Sequence, residues 1–258
     1  MKKLLIAAAI FVAGCGGHAG HVEEKKNSAP RTRVELASRP SPPVAGSGAE
    51  LVFNVKTTDG APVNEFEIVH EKPMHLLIVT EDLSGFWHEH PEARNDGSFI
   101  LRFAFPAGGR YRLFADYKPN RGDATVDPID VDVAGAPYER KPLAVDQELT
   151  RGVDGITATL KPSAELVAGK DLFLKYDLID TASEKPVDDL QNYLGAKAHL
   201  VIISEDLKQF VHAHPLAQSV PHSVTAHVKF PAGGKYRIWT QFNRQNRIIT
   251  VPFTVEVK

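Results

Sequence analysis

The chain has one cysteine in 258 residues, at position 15, so no disulfide can form within it and its stability must come from packed apolar cores. It has no excess of either charge: 30 Lys and Arg stand against 32 Asp and Glu, a formal net charge of −2. That balance lacks the basic footprint a phosphate backbone requires and excludes nucleic acid as a partner. No apolar run approaches the about 20 residues that cross a bilayer. A Gly-rich phosphate loop and a Ser-containing elbow are also missing, and processing at Cys15 leaves no nucleophilic thiol. The chain therefore reads as a non-enzyme with no small-molecule organic substrate in evidence. What remains is ordinary globular composition, 43% hydrophobic with 19 Gly and 18 Pro, which excludes collagen and a disordered tail.

The first residues carry an address. Met1-Lys2-Lys3 is followed by the apolar run Leu4 to Phe11 and then by Val12-Ala13-Gly14-Cys15. A charged start, a short apolar stretch and small residues before the cut form an export signal over residues 1–14. Val-Ala-Gly-Cys resembles a bacterial lipobox, which implies cleavage before Cys15 and a lipid on its sulfur. Residues 15–32 are small and charged and are expected to act as a flexible tether. His18 and His21 in that stretch read as solvated linker residues. The membrane, through lipidated Cys15, is thus the first expected partner. Gly16 rather than Asp after the cysteine resembles outer-membrane sorting in a Gram-negative cell.

Beyond the tether the chain repeats itself. His75-Leu76, Glu81-Asp82-Leu83, Phe86, His88, His90 and Pro91 recur 124 residues later as His199-Leu200, Glu205-Asp206-Leu207, Phe210, His212, His214 and Pro215. Phe105-Pro106-Ala107-Gly108-Gly109-x-Tyr111-Arg112 recurs at an offset of 125 as Phe230-Pro231-Ala232-Gly233-Gly234-x-Tyr236-Arg237. A period this long means tandem domains, over 33–134 and 150–258 with a linker at 135–149. Short alternating apolar runs bounded by Gly, Pro, Asp and Asn, such as Leu51 to Val55 and Leu172 to Tyr176, predict strands. Asp188 to Leu194 is the one stretch with the pattern of a helical turn. Tyr111 and Tyr236, each two residues after a Gly, have the placing of a tyrosine corner, where the hydroxyl bonds upstream backbone. The expected fold is all-β, two tandem immunoglobulin-like β-sandwiches.

The candidate chemistry is histidine. Residues two apart on a strand share a face, so His88 and His90 point together, as do His212 and His214. Paired positions of an antiparallel hairpin have a constant number sum, and a tight turn at Asp82-Leu83 sets His75 opposite His90. A turn at Asp206-Leu207 likewise sets His199 opposite His214. Three imidazoles on one face suit Zn or Cu with an open fourth position. Met74 adjoins His75, and a thioether would favour copper, although only a bulge would bring it to the same face. His70 is a further candidate in the first copy. The competing reading has the histidines only bonding across the hairpin and supporting the fold. A weaker one is metal-assisted hydrolysis with Glu81 or Glu89 as base. His222 and His227 have no counterpart in the first copy and read as surface residues. Trp87 and Trp239 read as packing, and Arg112 and Arg237 as surface ion-pair residues.

The combined string of His-Leu, Glu-Asp-Leu, Phe-x-His-x-His-Pro and Phe-Pro-Ala-Gly-Gly-x-Tyr-Arg is similar to a family of exported bacterial proteins with tandem domains. At the level of fold it resembles YtkA-like and CopC-like envelope modules, some associated with copper handling. The resemblance implies His75, His88, His90, His199, His212 and His214 as the marked positions. It also implies an envelope protein or a metal transporter as a partner. The expectation is a lipid-anchored envelope protein that holds Cu or Zn through a His cluster in each repeat, for metal handling or delivery. The alternative is a structural or adhesive module that binds a protein or an envelope polymer.

Overall fold

A computed structural model describes residues 31–213, 215–216 and 223–258. The export signal, Cys15, His18, His21, His214 and His222 lie outside the described residues. The first repeat holds β1 (Thr32–Arg39), β2 (Gly48–Thr57), β3 (Met74–Thr80), β4 (Phe86–Glu89), β5 (Glu92–Ala93), β6 (Phe99–Ala104), β7 (Gly109–Tyr117) and β8 (Thr125–Val133). The second holds β9 (Thr150–Val153), β10 (Ile156–Pro162), β11 (Asp171–Asp180), β12 (Leu190–Gln191), β13 (His199–Ser204), β14 (Phe210–Ala213), β15 (Ser223–Lys229), β16 (Gly234–Arg244) and β17 (Arg247–Val257). There is no helix among the described residues, hence none long and apolar enough to cross a membrane. Asp188 to Leu194 includes the short strand β12 instead of a helical turn, with Leu190 and Gln191 in register with Arg244 and Asn243 of β16.

Each repeat is a sandwich of two antiparallel sheets, ordered β1-β2-β6-β5 and β4-β3-β7-β8 in the first. In the second they are β15-β11-β10-β9 and β12-β16-β13-β14, with β17 on β16. Both sandwiches are closed by the expected tyrosine device: the Tyr111 hydroxyl donates to the Ala107 carbonyl at 2.9 Å and that of Tyr236 to Ala232 at 2.8 Å. Gly109 and Gly234 lead into these strands at φ of 118° and 130°, where L side chains are disfavoured.

The two sandwiches dock through their histidine-bearing sheets. β3 (MHLLIVT) and β13 (HLVIIS) are buried at every position, as expected of strands covered on both faces. Alternate residues divide the work. Leu76 and Ile78 enter the first core, Leu200 and Ile202 the second. Leu77, Val79, Val201 and Ile203 turn the other way and, with Leu83, Phe114, Leu207 and Trp239, form a third core between the domains. Phe86 stacks on Trp239 at 4.6 Å between ring centroids, and Phe210 on Phe114 at 5.1 Å. Phe86 and Phe210 are repeat equivalents, as are Phe114 and Trp239, so the interface is self-complementary about a pseudo-twofold axis. Leu83 and Leu207 adopt the left-handed conformation, φ 58° and 60°, at the hairpin tips. Their side chains seal this third core, which a glycine could not do.

Candidate metal centre between the domains

The hairpin register places the first-repeat histidines as the residue numbers require. β3 pairs with β4 through Leu76↔Glu89 and Leu77↔His88, the register that sets His75 across from His90. His75 Nδ1 lies 3.1 Å from His88 Nε2 and 3.2 Å from His90 Nε2. One ligand nitrogen from each of the three lies within 4.8 Å of the others, and the triad could hold a metal ion. Tetrahedral Zn–N bonds of about 2.0–2.1 Å separate the ligand nitrogens by roughly 3.3–3.4 Å. The observed spacings are a few tenths of an ångström short of that edge.

In the second repeat His199 Nδ1 lies 3.3 Å from His212 Nε2. The two sets meet. His75 and His199 stack with ring centroids 6.3 Å apart, and His75 and His212 lie 5.4 Å apart edge to face. His70, in the turn closed by Val69 and Lys72, is 6.1 Å from His75, 5.7 Å from His199 and 5.9 Å from His212. The Tyr193 ring walls the group, 5.4 Å from His199 and 6.3 Å from His88.

The outward bonds of these rings fix which nitrogens carry protons. His75 Nε2 faces the Val69 carbonyl at 2.9 Å, and a carbonyl can only accept, so Nε2–H donates and Nδ1 keeps its lone pair. His199 Nε2 faces the Leu194 carbonyl at 3.3 Å with the same consequence. His212 Nδ1–H donates to the Asp116 carboxylate at 2.7 Å, and His88 Nδ1–H to the Gln241 amide oxygen at 2.7 Å. Inside the first set, His75 Nδ1 and His88 Nε2, which face each other, are therefore acceptors on both sides. Two lone pairs at hydrogen-bonding distance repel unless a proton or a metal ion lies between them.

Protons are disfavoured in the first set. Burial pushes His75 down to about 4, His88 to about 2 and His90 to about 4. Burial also lowers His70, helped by the neighbouring His212. An unfolded chain takes up these protons as pH falls through 6.5, whereas the folded chain keeps His75 and His90 neutral down to about 4. Stability of the ion-free protein is expected to fall as pH drops from 6.5 towards 4. Thermal unfolding at a series of pH values checks this; a Tm that stays level through that window would contradict it.

Other expected site residues lie elsewhere. Met74 is fully buried in the first core with Leu76 and Ile78, because β3 alternates without a bulge and turns its side chain away from His75. It leaves the ligand set, and Met74→Leu is expected to leave metal affinity unchanged, as a titration of the variant would show. Glu81 sits beyond the far end of β3, ion-paired with Arg110 and Arg140, and cannot serve as a base for the histidines. Glu89 is raised by burial and pairs with Leu76 on the face turned away from His88 and His90. Trp87 packs on the first core. His227 pairs with Asp171 on the surface at 3.1 Å. Arg112 makes a two-pronged bond to Asp130, whereas Arg237 faces Thr254 instead of a carboxylate.

Asp116 and Gln241, which accept from the cluster's histidines, are the site residues that sequence reasoning missed. They occupy the same position in the two repeats, an acid in one copy and an amide in the other. Both are hydrogen-bond acceptors, and here each accepts from a histidine. The continuous apolarity of β3 and β13 was the signal that the sheets carrying them are covered on both faces.

Residues 27–135 and again 151–258 match the family described as Domain of unknown function (DUF8832). The chain belongs to this family. Nothing among curated proteins matches the sequence. Among solved structures the DUF8832 pair is similar to the tetra-tandem repeat in the extending region of a large adhesion protein, at 12% identity and TM-score 0.29, covering 88% of this chain and 49% of that one. It is similar to the Yersinia pseudotuberculosis adhesin InvE at 9% identity and TM-score 0.27, covering 87% of this chain and 58% of that one. The fibronectin(III)-like modules of Clostridium thermocellum CbhA match at 13% identity and TM-score 0.22, covering 88% and 93%. The chain thus spans about half the length of the first two structures it matches. Likeness of this degree carries no function across.

Proposed function

We propose that the protein is an exported, non-enzymatic envelope protein that binds a transition metal, Cu or Zn, through the histidines gathered between its two domains. The observation that supports this is the convergence of imidazole lone pairs. His75 Nδ1 and His88 Nε2 face each other at 3.1 Å while both outward N–H groups are already committed to oxygen acceptors. Neutral imidazole suits both metals, and a site without thioether or thiolate does not demand Cu(I). Lipidation at Cys15 would hold the pair of sandwiches at a membrane surface, at the outer membrane facing the periplasm in a Gram-negative cell. There the bound ion could be buffered or passed to an envelope protein or a transporter. The first set is His75, His88 and His90; His199, His212 and His214 make the counterpart.

A second reading, a module that binds a protein or envelope polymer, has the tandem-sandwich plan in its favour, and in it the histidines only brace the interface. Titration of the purified chain with Zn(II), Cu(II) and Cu(I), beside a His75→Ala/His88→Ala/His90→Ala variant, separates the two. Submicromolar binding in the parent that weakens in the variant is expected. A parent that takes up no ion would leave the interaction module as the reading.

A further inference from the structure

Asp116 lies directly across the strand pair from His75, and Gln241 from His199. The nearest use for each acceptor would be the histidine of its own sheet. Neither is used that way. Asp116, in the first domain, takes the N–H of His212 in the second, and Gln241, in the second, takes the N–H of His88 in the first, both at 2.7 Å. The exchange follows the pseudo-twofold axis that also relates the Phe86–Trp239 and Phe210–Phe114 stacks.

An acceptor on the far nitrogen of a ligating imidazole fixes its tautomer, holds the ring in place and strengthens it as a donor. Resting on the metal reading above, we propose that the two histidine sets form one paired centre whose outer acceptors are exchanged between the domains, so that ion binding and domain docking are linked. His75 and His199 are oriented by carbonyls of their own domains, but His88 and His212 are held in the metal-binding tautomer only while the other domain is docked. By linkage, an ion held at either set tightens the docking by the same factor. The two sets are also unequal: the Asp116 carboxylate polarises His212 more than the Gln241 amide polarises His88.

The test uses the full-length chain carrying Gln241→Leu, Asp116→Leu or Asp116→Gln, each titrated with Zn(II) against a chromophoric chelator and loaded with ¹¹³Cd(II) for NMR. Gln241→Leu is expected to weaken the ion held by His75, His88 and His90 by about 10–100-fold and to shift its ¹¹³Cd resonance, although residue 241 belongs to the other domain. Asp116→Leu should do the same to the ion held by His199 and His212. Asp116→Gln, which keeps an acceptor, should restore most of the affinity, a rescue that a merely space-filling role would not show. A parent that binds metal while both leucine variants keep its affinities and ¹¹³Cd shifts would overturn the exchange and leave the metal reading standing. A parent that binds no ion overturns both.

Discussion

Replacing His88 with Ala should weaken binding at the first histidine set by more than 100-fold while leaving the fold intact. His88 supplies one of three converging nitrogens, so its removal should exceed the about 10–100-fold cost of changing an outer partner. The stability readout is as informative as the affinity. If His88 braced the interface by donating Nε2–H to His75, its loss would leave a buried acceptor unsatisfied, at about 1–3 kcal/mol. With lone pairs facing each other, the variant removes a repulsion in the ion-free protein, which offsets part of the lost packing and of the donor lost to Gln241. Metal titration alongside chemical denaturation without metal therefore gives two independent signs. A variant that unfolds readily but binds the ion unchanged would reverse both.

Leu77→Asp should undo the docking of the domains. Leu77 is fully buried in the third core, on the same face of β3 as His75 and beside Val79, Val201 and Trp239. An unpaired carboxylate there costs several kcal/mol. Eight buried side chains make up this core, against the separate and larger cores that hold each sandwich. The less costly response is separation of intact domains. In solution scattering the radius of gyration should rise by several ångström from near the ~18 Å of a compact chain of this size. Both sandwiches should keep their β-sheet circular dichroism. Metal affinity should fall in the same variant, since separation withdraws Asp116 from His212 and Gln241 from His88. An unchanged radius, or separated domains that bind metal as tightly as the parent, would contradict the linkage of docking and binding.

Much of this was legible in the residues. The 124-residue offset announces the duplication, and the Tyr two residues after Gly announces the corner that Tyr111 and Tyr236 make with Ala107 and Ala232. The register of the first hairpin follows from the turn at Asp82-Leu83, because period-two geometry admits no half step. What could not be read was the docking. Leu77 and Val79 look in sequence like further members of a domain's own core, and only shape decides that Phe86 meets Trp239. Met74 failed as a ligand for a local reason, the strict alternation of β3. Asp116 and Gln241 failed to register because their partners lie 96 and 153 residues away, and contact at that separation is a product of the tertiary fold.

The most direct test of the central claim is long-range ¹⁵N–¹H NMR of the imidazoles in the intact chain, at neutral pH, before and after one equivalent of Zn(II). The expected ion-free spectrum shows His88 protonated at Nδ1 and His75 at Nε2, with the opposite nitrogens bare. Zinc should then move the bare nitrogens of His75 and His88 and leave their partners protonated. A His88 Nε2–H donated to His75, together with a spectrum that zinc does not alter, would contradict the metal centre and make the cluster a hydrogen-bonded strut.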